Sequence, residues 1–69
     1  MLVDARGLSC PQPVMEAKNA VKMGDTQIEI LLDNATAVAN VTRFMKSSGY
    51  ALSSSVDEAD GSTRLSFAK

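Results

Sequence analysis

The chain predicts a two-layer α/β sandwich in the order βαβαββ: one four-stranded mixed sheet with two helices on one of its faces. Three features lead there. Residues 27–32 alternate apolar and polar, as a half-buried strand does. Residues 34–48 repeat their apolar positions at helical spacing, the strongest periodicity in the chain. Asp60-Gly61 separates two further alternating runs and reads as a hairpin turn. Alternating strands imply one covered and one wet sheet face, so both helices belong on the same side. Right-handed crossovers make strands one, two and three progress in one direction. The last strand then inserts antiparallel between the second and third, giving the order 1-2-4-3.

The first strand is short, Leu2-Val3-Asp4, and Gly7-Leu8-Ser9 turns out of it. Cys10-Pro11-Gln12-Pro13 opens a helix expected over about 11–22. Proline is favoured at the first helical position, and a second one within the first turn still costs no internal hydrogen bond. Val14, Ala17 and Val21 mark the apolar stripe of this helix; Gln12, Glu16, Asn19 and Lys22 face water. Gly24 stops it. In the second strand Ile28, Ile30 and Leu32 point one way and Gln27 and Glu29 the other; only Leu31 spoils the pattern. Asp33 or Asn34 caps the second helix. Ala37, Val38, Val41, Phe44 and Met45 share one arc of it, and Gly49 ends it. The last strands run over 50–57 and 63–68, with Leu52, Val56, Leu65 and Phe67 facing inward.

Sixty-nine residues make one domain, 1–69, with a small core built from aliphatic side chains, because aromatics are only 4% of the chain. That composition leaves no aromatic pocket for a large flat cofactor, and none is expected. The formal charge is −1 and the seven basic residues are scattered, which argues against direct nucleic-acid binding. No apolar run approaches the ~20 residues that span a bilayer. The amino terminus lacks a signal-peptide layout, so the expected location is cytoplasmic, away from membranes. One cysteine forms no internal disulfide, and with no histidine a metal site is not expected. The same absence removes Ser-His and Cys-His catalytic pairs.

Cys10 is the candidate reactive residue. Its sequence places it at or beside the start of the first helix, where unpaired N–H groups carry partial positive charge. A thiolate is stabilised at such a position, and the thiolate is the nucleophile in sulfur chemistry. Buried filler is the usual state of a lone cysteine. A turn flanked by Gly7, Ser9, Pro11 and Pro13 belongs at the surface, however, and brings the two readings level.

The segment Asp4-x-x-Gly7-x-x-Cys10-Pro11-x-Pro13, followed by a helix and a β-α-β-β pattern, resembles the TusA/SirA-like sulfur carriers across essentially the whole chain. Asp33-Asn34, Ala37, Asn40-Val41, Arg43-Phe44 and Gly49-Tyr50 are similar to the amino-terminal domain of YedF-like proteins, associated with selenium metabolism. Those proteins often carry a second, DsrE-like domain, so a chain ending at Lys69 is either a free-standing relative or an excised domain. The resemblance implies that Cys10 accepts sulfane sulfur as a persulfide from a cysteine desulfurase-type donor and passes it to an acceptor protein. Pro11 and Pro13 would shape the loop, Gly7 would allow the turn, and Asp4 would hold it by a hydrogen bond. Ordinary turn chemistry outweighs direct catalysis at Asp4 and Gly7. Arg6 and Lys18 would attract an acidic partner; their ordinary reading, a solvated charged face, has the greater weight.

Three other readings stay open: a selenium-handling domain, a non-catalytic regulatory or interaction module, and a redox sensor. The sensor is disfavoured because no second cysteine resolves a sulfenic acid internally. Thioredoxin-like chemistry is set aside because position 13 is proline where a second cysteine is needed. The polar sheet face, with Gln27, Glu29, Arg64 and Ser66, predicts a monomer.

Overall fold

A computed structural model describes residues 1–9 and 12–69. Strands β1 (Leu2–Asp4), β2 (Gln27–Leu32), β3 (Ala51–Asp57) and β4 (Thr63–Ala68) form one sheet in the order β1-β2-β4-β3. Helices α1 (Gln12–Lys22) and α2 (Ala35–Ser47) complete the predicted element order. β1 runs parallel to β2, and β4 lies antiparallel between β2 and β3.

The core sits between the sheet and the helices. Ile28 faces Phe67 and Ile30 faces Leu65 across β2 and β4. These four and Leu32 are buried, with Val41 and Met45 of α2. Removing one such aliphatic or aromatic side chain from water stabilises the fold by about 1.5–3 kcal/mol, so this row dominates the stability.

Helix α2 follows its periodicity. Ala37, Val41 and Met45 are buried, and Val38 and Phe44 pack at the margin of the core. Asn34 is its N-cap, with the side-chain oxygen accepting from the Ala37 N–H at 2.7 Å. At the far end Gly49 takes φ +91°. There the Tyr50 N–H reaches the Met45 carbonyl at 3.0 Å and the Gly49 N–H the Lys46 carbonyl at 3.1 Å. This pattern closes the last turn, and it needs a residue at ease in the left-handed region.

Helix α1 is rotated slightly from the expected stripe. Pro13, Ala17 and Ala20 are its buried residues, while Val14 and Val21 are only partly buried. The small side chains at 17 and 20 let α1 lie close to its neighbours, and the bulkier valines fill the flanks.

The strand β3 differs from expectation more sharply. All its residues are exposed, Val56 by 49% and Leu52 by 39%. β3 is an edge strand, and its register shifts between Leu52 and Ser54. Leu52 pairs with Phe67 on the helix side, whereas Val56 pairs with Arg64 on the open side. One extra residue in a strand reverses the faces beyond it, so Val56 does not point inward.

The open sheet face is also less polar than expected. Leu31 lies on it, between Asp4 and Arg64 in register, yet is 7% exposed. The Arg64 guanidinium crosses this face to Glu29 at 3.5 Å and to Glu58 at 3.0 Å, beside Leu31. Its Nε has no aligned acceptor, so the Glu58 contact is an ion pair and not a directed hydrogen bond. Leu2 and Val56 add exposed apolar surface on the same side.

Candidate functional site: the loop after the first strand

The carboxyl ends of β1 and β2 and the β3–β4 hairpin meet at one edge of the sheet. The segment leading to Cys10 starts there. Cys10 and Pro11 lie outside the described residues; the segments on either side of them define the candidate site.

From Asp4 to Ser9 the chain is fixed by a series of contacts. The Asp4 carboxylate accepts from the Arg6 backbone N–H at 3.2 Å, from Nε at 2.9 Å and from Nη2 at 2.8 Å. A side chain capturing the N–H two residues on makes a local turn, and the paired side-chain bonds give the fork geometry of an Arg–carboxylate contact. Ala5 is buried, and its N–H donates to the Leu31 carbonyl at 3.0 Å. The Gly7 N–H donates to Asp33 Oδ2 at 2.7 Å. Gly7 has φ +76°, a conformation that other side chains adopt with strain. Leu8 packs against the core. The Ser9 carbonyl then accepts from the N–H of Gln12, the first residue of α1, at 2.7 Å.

Arg6 also reaches Asp60 in the hairpin, Nη1 to Oδ2 at 3.0 Å. Asp60 is set by Ser62, whose hydroxyl donates to Oδ1 at 2.6 Å and whose N–H donates at 3.0 Å. The side-chain hydrogen bond from Arg6 holds the Asp4 carboxyl at a pKa of about 2, below its ordinary 3.8. Asp60 is lowered too, first by the Ser62 hydroxyl and more weakly by Arg6. Arg6 is raised by Asp4. Its charge is therefore engaged by two carboxylates, which leaves less of it for a partner than the sequence suggests.

The remaining site residues separate. Pro13 is buried in the first turn of α1, and Lys18 is exposed on the same helix. Among the described residues, no three histidine, cysteine, aspartate or glutamate side chains gather as metal ligands would. A depression lined by Met1, Gln27, Glu29, Ser53 and Ser66 opens at the opposite end of the sheet from Gly7. No helix of the described residues is long and apolar enough to cross a membrane.

Asp33 and Asp60 are the residues that sequence reasoning missed. Asp33 had a visible signal: a helix takes one N-cap residue, and two candidates stand side by side at 33 and 34. With Asn34 in that role, the other carboxylate must find another donor. Asp60 had none beyond its fitness for a turn.

These features define a class: a small mixed-sheet domain that presents a pinned loop, leading into a helix, at the carboxyl ends of its parallel strands. The chain belongs to the TusA sulfurtransferase family, whose model matches residues 1–69. Its fold is similar to that of a SirA-like protein from Desulfitobacterium hafniense, at 26% identity and a TM-score of 0.83. That likeness covers 97% of this chain and 93% of the other. No curated protein matches the sequence. The family places the chain among sulfur carriers, which work through protein partners.

Proposed function

We propose that this protein carries sulfane sulfur on Cys10, taking it from a cysteine desulfurase-type donor and passing it to an acceptor protein. The Cys10 thiolate attacks the outer sulfur of a donor persulfide, and the donor thiolate leaves. In the second step an acceptor thiolate attacks the outer sulfur now on Cys10, and the Cys10 thiolate leaves. Each step exchanges one S–S bond for another, so no outside oxidant or reductant is required.

The observation that supports this most is the first turn of α1, which carries no acidic side chain. The partial positive charge of its N–H groups is not offset by a carboxylate on the helix itself, and Cys10 precedes Gln12 by two positions in sequence. Such an environment favours thiolate over thiol below the free-cysteine pKa of about 8.5. Asp4, Gly7, Pro11 and Pro13 serve as loop-shaping residues, and Lys18 meets the partner electrostatically.

Incubation with a cysteine desulfurase and cysteine is expected to add the mass of one sulfur atom to the wild-type chain and nothing to Cys10→Ser. No gain in the wild type with any donor would overturn the proposal. If Cys10→Ser leaves the biological effect intact, the protein is an interaction module instead. The similarity of residues 33–50 to YedF-like proteins supports a variant in which selenium replaces sulfur on the same thiolate. Loading from a desulfurase fed selenocysteine, which presents zero-valent selenium on its own cysteine, in preference to one fed cysteine distinguishes it.

A further inference from the structure

We propose that Asp33 is a positioning residue for Cys10: it holds the loop that leads to the cysteine by accepting the Gly7 N–H. The proposal rests on the reading of Cys10 as the carrier residue.

The two residues belong to different connections. Gly7 lies between β1 and α1, and Asp33 between β2 and α2. Their 2.7 Å bond spans 26 positions of sequence and has a charged acceptor, the stronger kind of hydrogen bond. Gly7 stands three positions before Cys10; its N–H points to the neighbouring connection, and its positive φ turns the chain that follows. Asp33 has no competing duty at the helix start, because Asn34 supplies the cap. Its other oxygen accepts from Asn34 Nδ2 at 3.2 Å, which orients the carboxylate. The Asp4–Arg6–Asp60 contacts secure the loop upstream and Leu8 secures it against the core, but neither captures the Gly7 N–H. Without Asp33, that group has water as its acceptor and the approach to Cys10 loses its fixed direction.

The test is the rate of Cys10 alkylation by iodoacetamide across pH in the wild type, Asp33→Ala, Asp33→Asn and Val41→Ala. Asp33→Ala is expected to slow alkylation or shift its pH midpoint, with a rate loss of roughly tenfold, the scale of one hydrogen bond to a charged group. Asp33→Asn keeps an acceptor oxygen and is expected to restore most of the rate. Val41→Ala removes buried apolar volume from α2 and leaves the Asp33–Gly7 bond in place, so it is expected to lower Tm while leaving Cys10 reactivity near wild type. An unchanged rate and midpoint in Asp33→Ala would overturn the proposal, as would equal slowing in Val41→Ala. Alkylation needs no sulfur donor. Failure of the relay therefore shows only as a missing mass gain in the wild type, and failure of the positioning role only in these rates.

Discussion

Asp4 and Arg6 show how two exposed side chains shape a backbone. The turn they close lies within three residues; the family resemblance pointed to a hydrogen bond from Asp4, and the structure supplies Arg6 as its partner. The link from Arg6 to Asp60 spans 54 positions and is set by the hairpin, so no local pattern announces it. The depressed pKa of Asp4 gives the contact a pH signature. A carboxyl with a folded pKa near 2 and an ordinary value of 3.8 stabilises the fold fully above about pH 4 and loses that contribution as pH falls through about 2. Asp4→Asn should therefore lower Tm relative to wild type near pH 5, by a small amount because the pair is exposed. The gap should close as both proteins are taken toward about pH 2. A Tm gap constant over that range would show that Asp4 acts through its shape and not its charge.

At the level of elements, legibility follows the source of the order. α2 is governed by its own periodicity and by local caps, and the sequence displays both. β3 is governed by a one-residue irregularity against β4, and Ala51–Asp57 contains nothing that marks it. Two apolar residues four positions apart read as one face of a strand, and the register shift sends them to opposite faces. The same contrast separates Asp33 from Asn34: both favour a helix start, and only the assembled sheet edge shows which of them faces Gly7. The cap can be measured directly. Asn34→Ala removes the acceptor for the Ala37 N–H and should cost about 1 kcal/mol in urea unfolding, with the slope unchanged. A cost near zero would mean that water or a neighbouring group takes over the N–H.

Across the whole molecule the charges divide between the layers. The helices carry Lys18, Lys22, Arg43 and Lys46 against the single acid Glu16, and all five are exposed. The sheet and its connections hold the other seven acids with Arg6, Arg64 and Lys69. A formal charge of −1 thus conceals a basic helical face and an acidic remainder. Such a molecule is oriented in the field of a charged partner, and orientation raises the association rate more than it tightens the final complex. On the carrier reading, an acidic docking surface on the sulfur donor would draw in the helical face, where α1 begins. Lys18→Glu should then slow association several-fold at low ionic strength with little change in dissociation. The difference should shrink as salt brings the screening length to about 8 Å at 0.15 M. Lys69→Glu changes the net charge equally but lies outside the helices, next to the Tyr50 ring. It should leave the association rate closer to wild type. Equal slowing by the two variants in stopped-flow measurements would mean that the partner senses only total charge, and the division between layers would have no part in recognition.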